Sequence, residues 1–197
     1  MKAPADLDLN DLQEFIKSIA ELGMTATSQA RIISGLRSFF TYCSTEQIIA
    51  ANPTVLLEAP KQKRLLPDTL SFEEIERIIA GIDLSKPEGG RNKAILETLY
   101  SCGLRVSELV NLRISCLFLD IGFIRVTGKG DKERLVPIGT EAVKYINIYR
   151  NDIRVHIPVK PGQEDYLFLN RRGSQLSRVM IFLVLKDLAA KAGITKN

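Results

Sequence analysis

Several kinds of chemistry are excluded by what this 197-residue chain has little of. It holds one histidine, His156, so there is no H-E-x-x-H pair and no histidine-rich metal set. Its three cysteines, Cys43, Cys102 and Cys116, are odd in number and widely spaced, and none stands in a C-x-x-C. That pattern describes neither a disulfide framework nor a zinc knuckle, and it is read as buried thiols in a reducing compartment. A Walker A loop and a G-x-S-x-G elbow are both missing, which leaves phosphate-loop nucleotide hydrolysis and serine-hydrolase chemistry unsupported. The apolar run at Ile181 to Leu185 is far too short to span a bilayer, and the N-terminus has neither a basic n-region nor an apolar h-region. A cytoplasmic protein without membrane, metal or cofactor is expected.

What is present describes a folded chain. Apolar residues make up 45% and charged residues 25%, with 13 glycines and 8 prolines spread out, enough to build a core in one or two compact units. Formal net charge is +4, distributed unevenly. Residues 1–60 carry 4 Lys/Arg against 7 Asp/Glu, and residues 61–197 carry 23 against 16. Even the acidic part has a carboxylate-free interval between Glu21 and Glu46 that contains Arg31 and Arg37. A polyanionic partner is permitted by these numbers and could run across both parts.

Apolar spacing predicts a helix from Leu9 to Leu22, capped by Asp8, and a second from about Thr27 to Cys43 with Ile32, Ile33, Leu36, Phe39, Phe40 and Cys43 on its apolar face. Pro53, Pro60 and Pro67 bracket Lys61, Lys63 and Arg64, a segment that reads as an extended basic linker. The boundaries drawn are therefore 1–59 for a helical domain, 60–70 for the linker and 71–197 for a second domain. The S-x-x-E of Ser71 to Glu74 opens a helix closed by Gly81. Helices are predicted at about Arg91 to Ser101 and Val106 to Leu112. Ile121–Val126 and Arg134–Ile138 read as a hairpin around Thr127–Glu133, followed by a helix over Thr140–Arg150, a short strand over Tyr166–Leu169 and a long helix over Ser177–Ala192. The fold class is mainly α with a small antiparallel β-sheet.

With the common catalytic sets missing, arginine, lysine and glycine remain. Arg105 follows Gly103-Leu104 at a helix start, and Lys129 lies between two glycines at a hairpin tip. Glycine lets a backbone approach a ligand, while an arginine fork and a lysine point charge both suit phosphate oxygens. Singly, these residues have plain readings, Arg105 as an ion pair with Glu108 and Lys129 as solvated surface. Lys132, Glu133 and Arg134 would ordinarily be an exposed charge run, and His156 beside Pro158 a loop residue.

The ordered combination is more specific. Cys102-Gly103-Leu104-Arg105-Val106-Ser107-Glu108-Leu109, followed by a strand and Gly128-Lys129-Gly130-Asp131-Lys132-Glu133-Arg134-Leu135-Val136-Pro137, resembles the tyrosine recombinases, especially the bacterial Xer-type site-specific recombinases. The first segment matches the family's G-L-R-x-S-E-L and the second its G-K-G-x-K-E-R-x-V-P hairpin, in order and separation. The resemblance implies a partial helical core-binding domain followed by a partial catalytic domain, and strand cleavage through a 3′-phosphotyrosyl link without metal or ATP. It implies that Arg105 clamps the scissile phosphate, that Lys129 is general acid toward the 5′-oxygen and that Glu108 supports Arg105. Arg31, Arg37, Lys61, Lys63, Arg64, Lys132, Arg134 and Arg178 fall where the family meets double-stranded DNA.

The family's second half-site, an H-x-x-R and a late nucleophilic tyrosine, would follow Gly193, and none of Tyr42, Tyr100, Tyr145, Tyr149 and Tyr166 stands in that context. The expectation is a chain trimmed at both ends that does not complete cleavage alone, monomeric here although its parent works as a tetramer on DNA. A non-catalytic DNA-binding protein on the same scaffold is the alternative.

Overall fold

The computed structural model describes residues 2–61, 68–128 and 130–196. The chain divides into two units, Met1–Pro67 and Asp68–Asn197. The readings placed on Lys63, Arg64 and Lys129 lie outside the described residues.

In the first unit, α1 spans Leu9–Glu21 and α2 spans Ala26–Thr45. The Asp8 carboxylate accepts from the Asp11 backbone N–H at 2.8 Å while the Asp11 carboxylate takes the Asp8 N–H at 3.1 Å, so two orphan donors of the first turn are satisfied reciprocally. Leu12, Ile33, Phe40, Cys43, Ile49 and Leu57 form its core. Phe39, assigned to the apolar face of α2, is exposed instead and meets Phe40 edge-on at 5.2 Å between ring centroids. The stripe of α2 is narrower than its composition suggests, because one neighbouring helix covers only one side of it.

The second unit is helical around a three-stranded antiparallel sheet. Helix α3, Phe72–Ala80, begins with the full Ser71/Glu74 capping box. Helix α4, Pro87–Cys102, starts four residues before the predicted position, since proline at the first helical position gives up an N–H that has no partner there anyway. It ends on Gly103, whose φ of 57° is the left-handed conformation that glycine adopts without Cβ strain. Helix α5 is the short Val106–Val110.

Strands β1 (Leu117–Phe118), β2 (Phe123–Thr127) and β3 (Glu133–Pro137) are ordered β1-β2-β3, with Ile124 opposite Val136 and Val126 opposite Arg134. The two-residue β1 had no sequence signal. Helix α6, Thr140–Ile148, passes into a π-helical turn at Tyr149–Ile153 and a 3-10 turn at Arg154–His156, where the apolar spacing predicts one continuous helix to Arg150.

Tyr166–Leu169 is not a strand. It makes two isolated bridges, Arg113 to Tyr166 and Leu169 to Gln175, and its apolar run is instead core: Leu167, Phe168 and Leu169 are buried. Helix α7, Arg178–Lys191, is capped by Ser177, whose Oγ accepts from the Met180 N–H at 3.2 Å. The core joins Ile95, Leu109, Ile124, Ile146, Tyr149 and Ile181 across these helices and the inner face of β2. Of the three cysteines only Cys43 is buried; Cys102 and Cys116 are half-buried free thiols. Among the described residues no helix is long and apolar enough to cross a membrane.

Candidate functional site

Helix α5 has only five residues, too few to persist on intrinsic propensity. Packing and polar anchors hold it. Leu109 and Val110 are buried in the core, and at the C-terminal end the Gln175 side-chain amide donates to the Val110 carbonyl and to Asn111 Oδ1, both at 2.8 Å. At the N-terminal end the anchor is Glu108, whose carboxylate reaches back to accept from the Arg105 backbone N–H at 2.9 Å. This fixes Arg105 immediately before the helix.

Glu108 is the centre of the arrangement, with 3% of its side chain exposed. Besides the Arg105 backbone N–H, its carboxylate accepts from Arg105 Nη1 at 3.1 Å and, in a bidentate fork, from Arg134 Nη1 at 2.8 Å and Nη2 at 3.0 Å. The Arg134 bonds, reinforced by the backbone and side-chain bonds from Arg105, hold the carboxyl down at about 2 against burial that would raise it. It is an anion throughout the neutral range. Arg134 in turn is held charged above its ordinary range by the hydrogen bond to Glu108.

The hairpin comes to the same point. The Gly128 N–H donates to the Lys132 carbonyl at 2.8 Å, closing the turn between β2 and β3. A Cβ added at Gly128 would stand 3.3 Å from Arg134 Nη1 and 3.4 Å from Glu108 Oε1. Glycine here allows the hairpin backbone to lie against the carboxylate and its arginine fork.

The two motif segments, separated by eighteen residues in sequence, thus converge on one carboxylate. Arg105 keeps 73% of its side chain exposed, and among the described residues Nη1 alone of its guanidinium nitrogens is engaged. Chemically the place offers a solvent-facing guanidinium, fixed at its base and backed by an ion pair, which suits the oxygens of a phosphate.

The other predicted residues are dispersed. Lys132 is exposed beyond the turn, and Arg178 is exposed at the first position of α7. In the first unit Arg31 and Lys61 are exposed, whereas Arg37 donates from Nη2 to the Leu57 carbonyl and so fastens α2 to the segment after it. The family resemblance puts Arg134 among the DNA contacts, yet both of its terminal nitrogens are turned to Glu108. Sequence reasoning missed that pairing and the role of Gly128. The alternation of β3 gives the face of Arg134, and nothing local gives a partner 26 residues upstream.

Among the tyrosines, Tyr149 is buried, its hydroxyl oxygen accepting from the Leu169 N–H at 3.1 Å and its ring stacked on Phe168. Tyr166 and Tyr145 lie under cations, Arg113 at 4.9 Å and Lys93 at 4.5 Å from the ring centroids.

Comparison with known proteins agrees with the motifs. Residues 68–197 match the model of the phage integrase family. The tyrosine recombinase XerD of Staphylococcus haemolyticus is 39% identical over 191 residues, and that of Staphylococcus aureus strain MRSA252 is 40% identical over the same length. In both cases the alignment takes in 97% of this chain and 64% of the relative, so the chain spans less than two thirds of the curated relatives it matches.

Among solved structures, XerA recombinase is similar over 100% of this chain and 66% of its own, with 31% identity and a TM-score of 0.59. XerH bound to palindromic difH in a post-cleavage complex gives a TM-score of 0.78 at 22% identity, over 99% of this chain and 58% of its own, a likeness of fold. With the family match running through the whole of the second unit, where the arginine turn and the glycine hairpin meet on Glu108, this chain belongs to the phage integrase family.

Proposed function

We propose that this protein acts in site-specific DNA recombination, in which a strand is cut and rejoined through a 3′-phosphotyrosyl link, and that Arg105 and Lys129 serve that chemistry. The observation that carries the reading is the convergence on Glu108, which leaves the Arg105 guanidinium exposed beside the hairpin turn. Phosphoryl transfer to a tyrosine builds negative charge on the nonbridging oxygens and requires a proton for the departing 5′-oxygen. An arginine fork answers the first need and a lysine the second. Glu108 holds Arg105 and stays ionised while doing so.

Double-stranded DNA is the partner. Arg31, Arg37, Lys61, Lys63, Arg64, Lys132 and Arg178 are the candidates for contacts that set register on the backbone rather than perform chemistry. The surroundings of the reaction are cytoplasmic, and the recombining assembly is a tetramer of the longer protein. This polypeptide by itself is a monomer that binds the duplex and does not complete cleavage, since no tyrosine here stands in the family's nucleophile context.

The test is titration of a duplex with the chain across salt, together with an assay for a covalent adduct on a nicked recombination site. Affinity should fall steeply between roughly 50 and 200 mM salt, as counterion release requires. Binding that ignores salt would refute the DNA reading, and a 3′-phosphotyrosyl adduct on this polypeptide would refute its inactivity. The scaffold-only alternative separates from the enzyme in the longer protein, where Arg105→Ala would abolish cleavage by an enzyme and leave a scaffold's site occupancy nearly unchanged.

A further inference from the structure

Arg134 carries a charge that a basic run on an exposed hairpin would ordinarily offer to DNA. The geometry assigns it otherwise. Its two terminal nitrogens form a bidentate fork on the Glu108 carboxylate at 2.8 and 3.0 Å, the pairing in which arginine differs most from lysine. The same Oε1 that takes Arg134 Nη1 also takes Arg105 Nη1 at 3.1 Å, so the carboxylate bridges the two guanidiniums. Arg134 lies opposite Val126 on the hairpin, two residues beyond the Lys132 carbonyl that closes the turn, and Gly128 lies against both members of the pair.

We infer that Arg134 is a positioning residue for Arg105, acting through Glu108: it locks the hairpin to the carboxylate that orients the phosphate-binding guanidinium, and does not itself touch DNA. The inference rests on the reading of Arg105 as a phosphate ligand. The physical reason is one of unused freedom. Glu108 holds Arg105 by one contact on each oxygen, the backbone N–H on Oε2 and Nη1 on Oε1, which leaves one acceptor position on each oxygen open to other donors. The Arg134 fork engages both oxygens at once, which fixes the carboxylate plane and with it the direction from which Arg105 is held.

The experiment is a double-mutant cycle on duplex affinity, using the full chain and the variants Arg105→Ala, Arg134→Lys and Arg134→Gln, alone and combined. Arg105→Ala should weaken binding about tenfold, one charge-assisted contact among several, and lower the salt slope by about one. Arg134→Lys keeps the charge and loses the fork, so it should weaken binding nearly as much as Arg134→Gln. In the Arg105→Ala background both should have less than about a twofold effect, because the group they position is gone.

Wild-type affinity in Arg134→Lys, or a full additional loss from Arg134→Gln in the Arg105→Ala background, marks Arg134 as an independent DNA contact and overturns the inference while leaving the functional reading intact. Unchanged affinity in Arg105→Ala removes the phosphate contact on which this inference rests and overturns it, whereas the DNA reading itself fails only if duplex binding ignores salt. Thermal unfolding of each variant separates the cycle from a loss of fold. A purely structural role would persist in the Arg105→Ala background through the other hairpin residues, and so counts against the assignment as well.

Discussion

Replacing Glu108 with glutamine tests the centre of the site without DNA. The substitution keeps the size of the side chain and removes its charge. It also places an amide that donates where the Arg105 N–H and three guanidinium N–H groups now donate. A carboxyl held at about 2 rather than 4.5 favours the folded state by about 3 kcal/mol at neutral pH, at about 1.4 kcal/mol per tenfold. Both arginines are partly in water, with 73% and 41% of their side chains exposed, and screening lowers that figure. Glu108→Gln should therefore cost about 1 to 3 kcal/mol at pH 7.

The sign of the pH dependence follows from the depressed value. The contribution is complete above the unfolded-state value near 4.5 and is lost as pH falls from there toward about 2, where the native carboxyl also protonates. Urea unfolding of the second unit, followed by circular dichroism at a series of pH values, should show the two proteins far apart at pH 7 and converging toward pH 2. A gap that stays constant over that range would mean that charge contributes nothing, and the account of the site would be wrong. Equal stability at pH 7 would have the same force.

Other sites give sharper structural outcomes. Gly103→Ala places a Cβ on a residue with φ of 57°, and a loss of about 1 kcal/mol should appear as a lower melting temperature, with more rapid amide exchange at Arg105. Leu109→Ala removes a fully buried side chain from the face by which a five-residue helix is anchored and should cost about 2 to 5 kcal/mol in chemical denaturation. Tyr149→Phe leaves the buried Leu169 N–H without its acceptor, an expected cost of about 1 to 3 kcal/mol, and unchanged stability would show that another acceptor takes its place. Gly128→Ala should lower stability by about 1 kcal/mol, since the new methyl meets Arg134 and Glu108 at 3.3 and 3.4 Å, and a crystal structure with the arginine fork undisturbed would contradict this.

The pattern of what the sequence disclosed follows the range of the interactions. The caps at Asp8 and Ser71 are local, each made between residues three apart, and both form where their spacing puts them; Ser177, read as the first residue of its helix, caps it over the same span. The hairpin of β2 and β3 was placed within two residues because alternation and turn residues are also local. Tyr166–Leu169 failed for a definite reason. A short apolar run has the same composition whether it pairs as a strand or fills a core, and here Leu167, Phe168 and Leu169 are buried while Tyr166 and Leu169 make only isolated bridges. The turn after α6 failed because a π-helical widening leaves no periodic trace in five residues. Arg105 and Glu108 were read from a family motif; their meeting with Arg134 depends on the tertiary fold.

A carboxylate beside the phosphate site proposed at Arg105 looks unfavourable, and its geometry explains how it is tolerated. An ionised carboxylate has about four acceptor positions, and Glu108 fills four, one with the Arg105 N–H and three with guanidinium N–H groups. None is left over to compete for the donors that face solvent on Arg105. Two guanidiniums against one carboxylate leave a local charge of +1, and because the carboxylate is buried while Arg105 is largely exposed, an approaching phosphate meets the cation first. Removing Arg134 would reduce that charge to zero and open one acceptor position on each Glu108 oxygen, free to draw more of the Arg105 guanidinium inward. The second arginine therefore does two things at once. It sets the direction in which the first one points, and it neutralises the group that does the pointing.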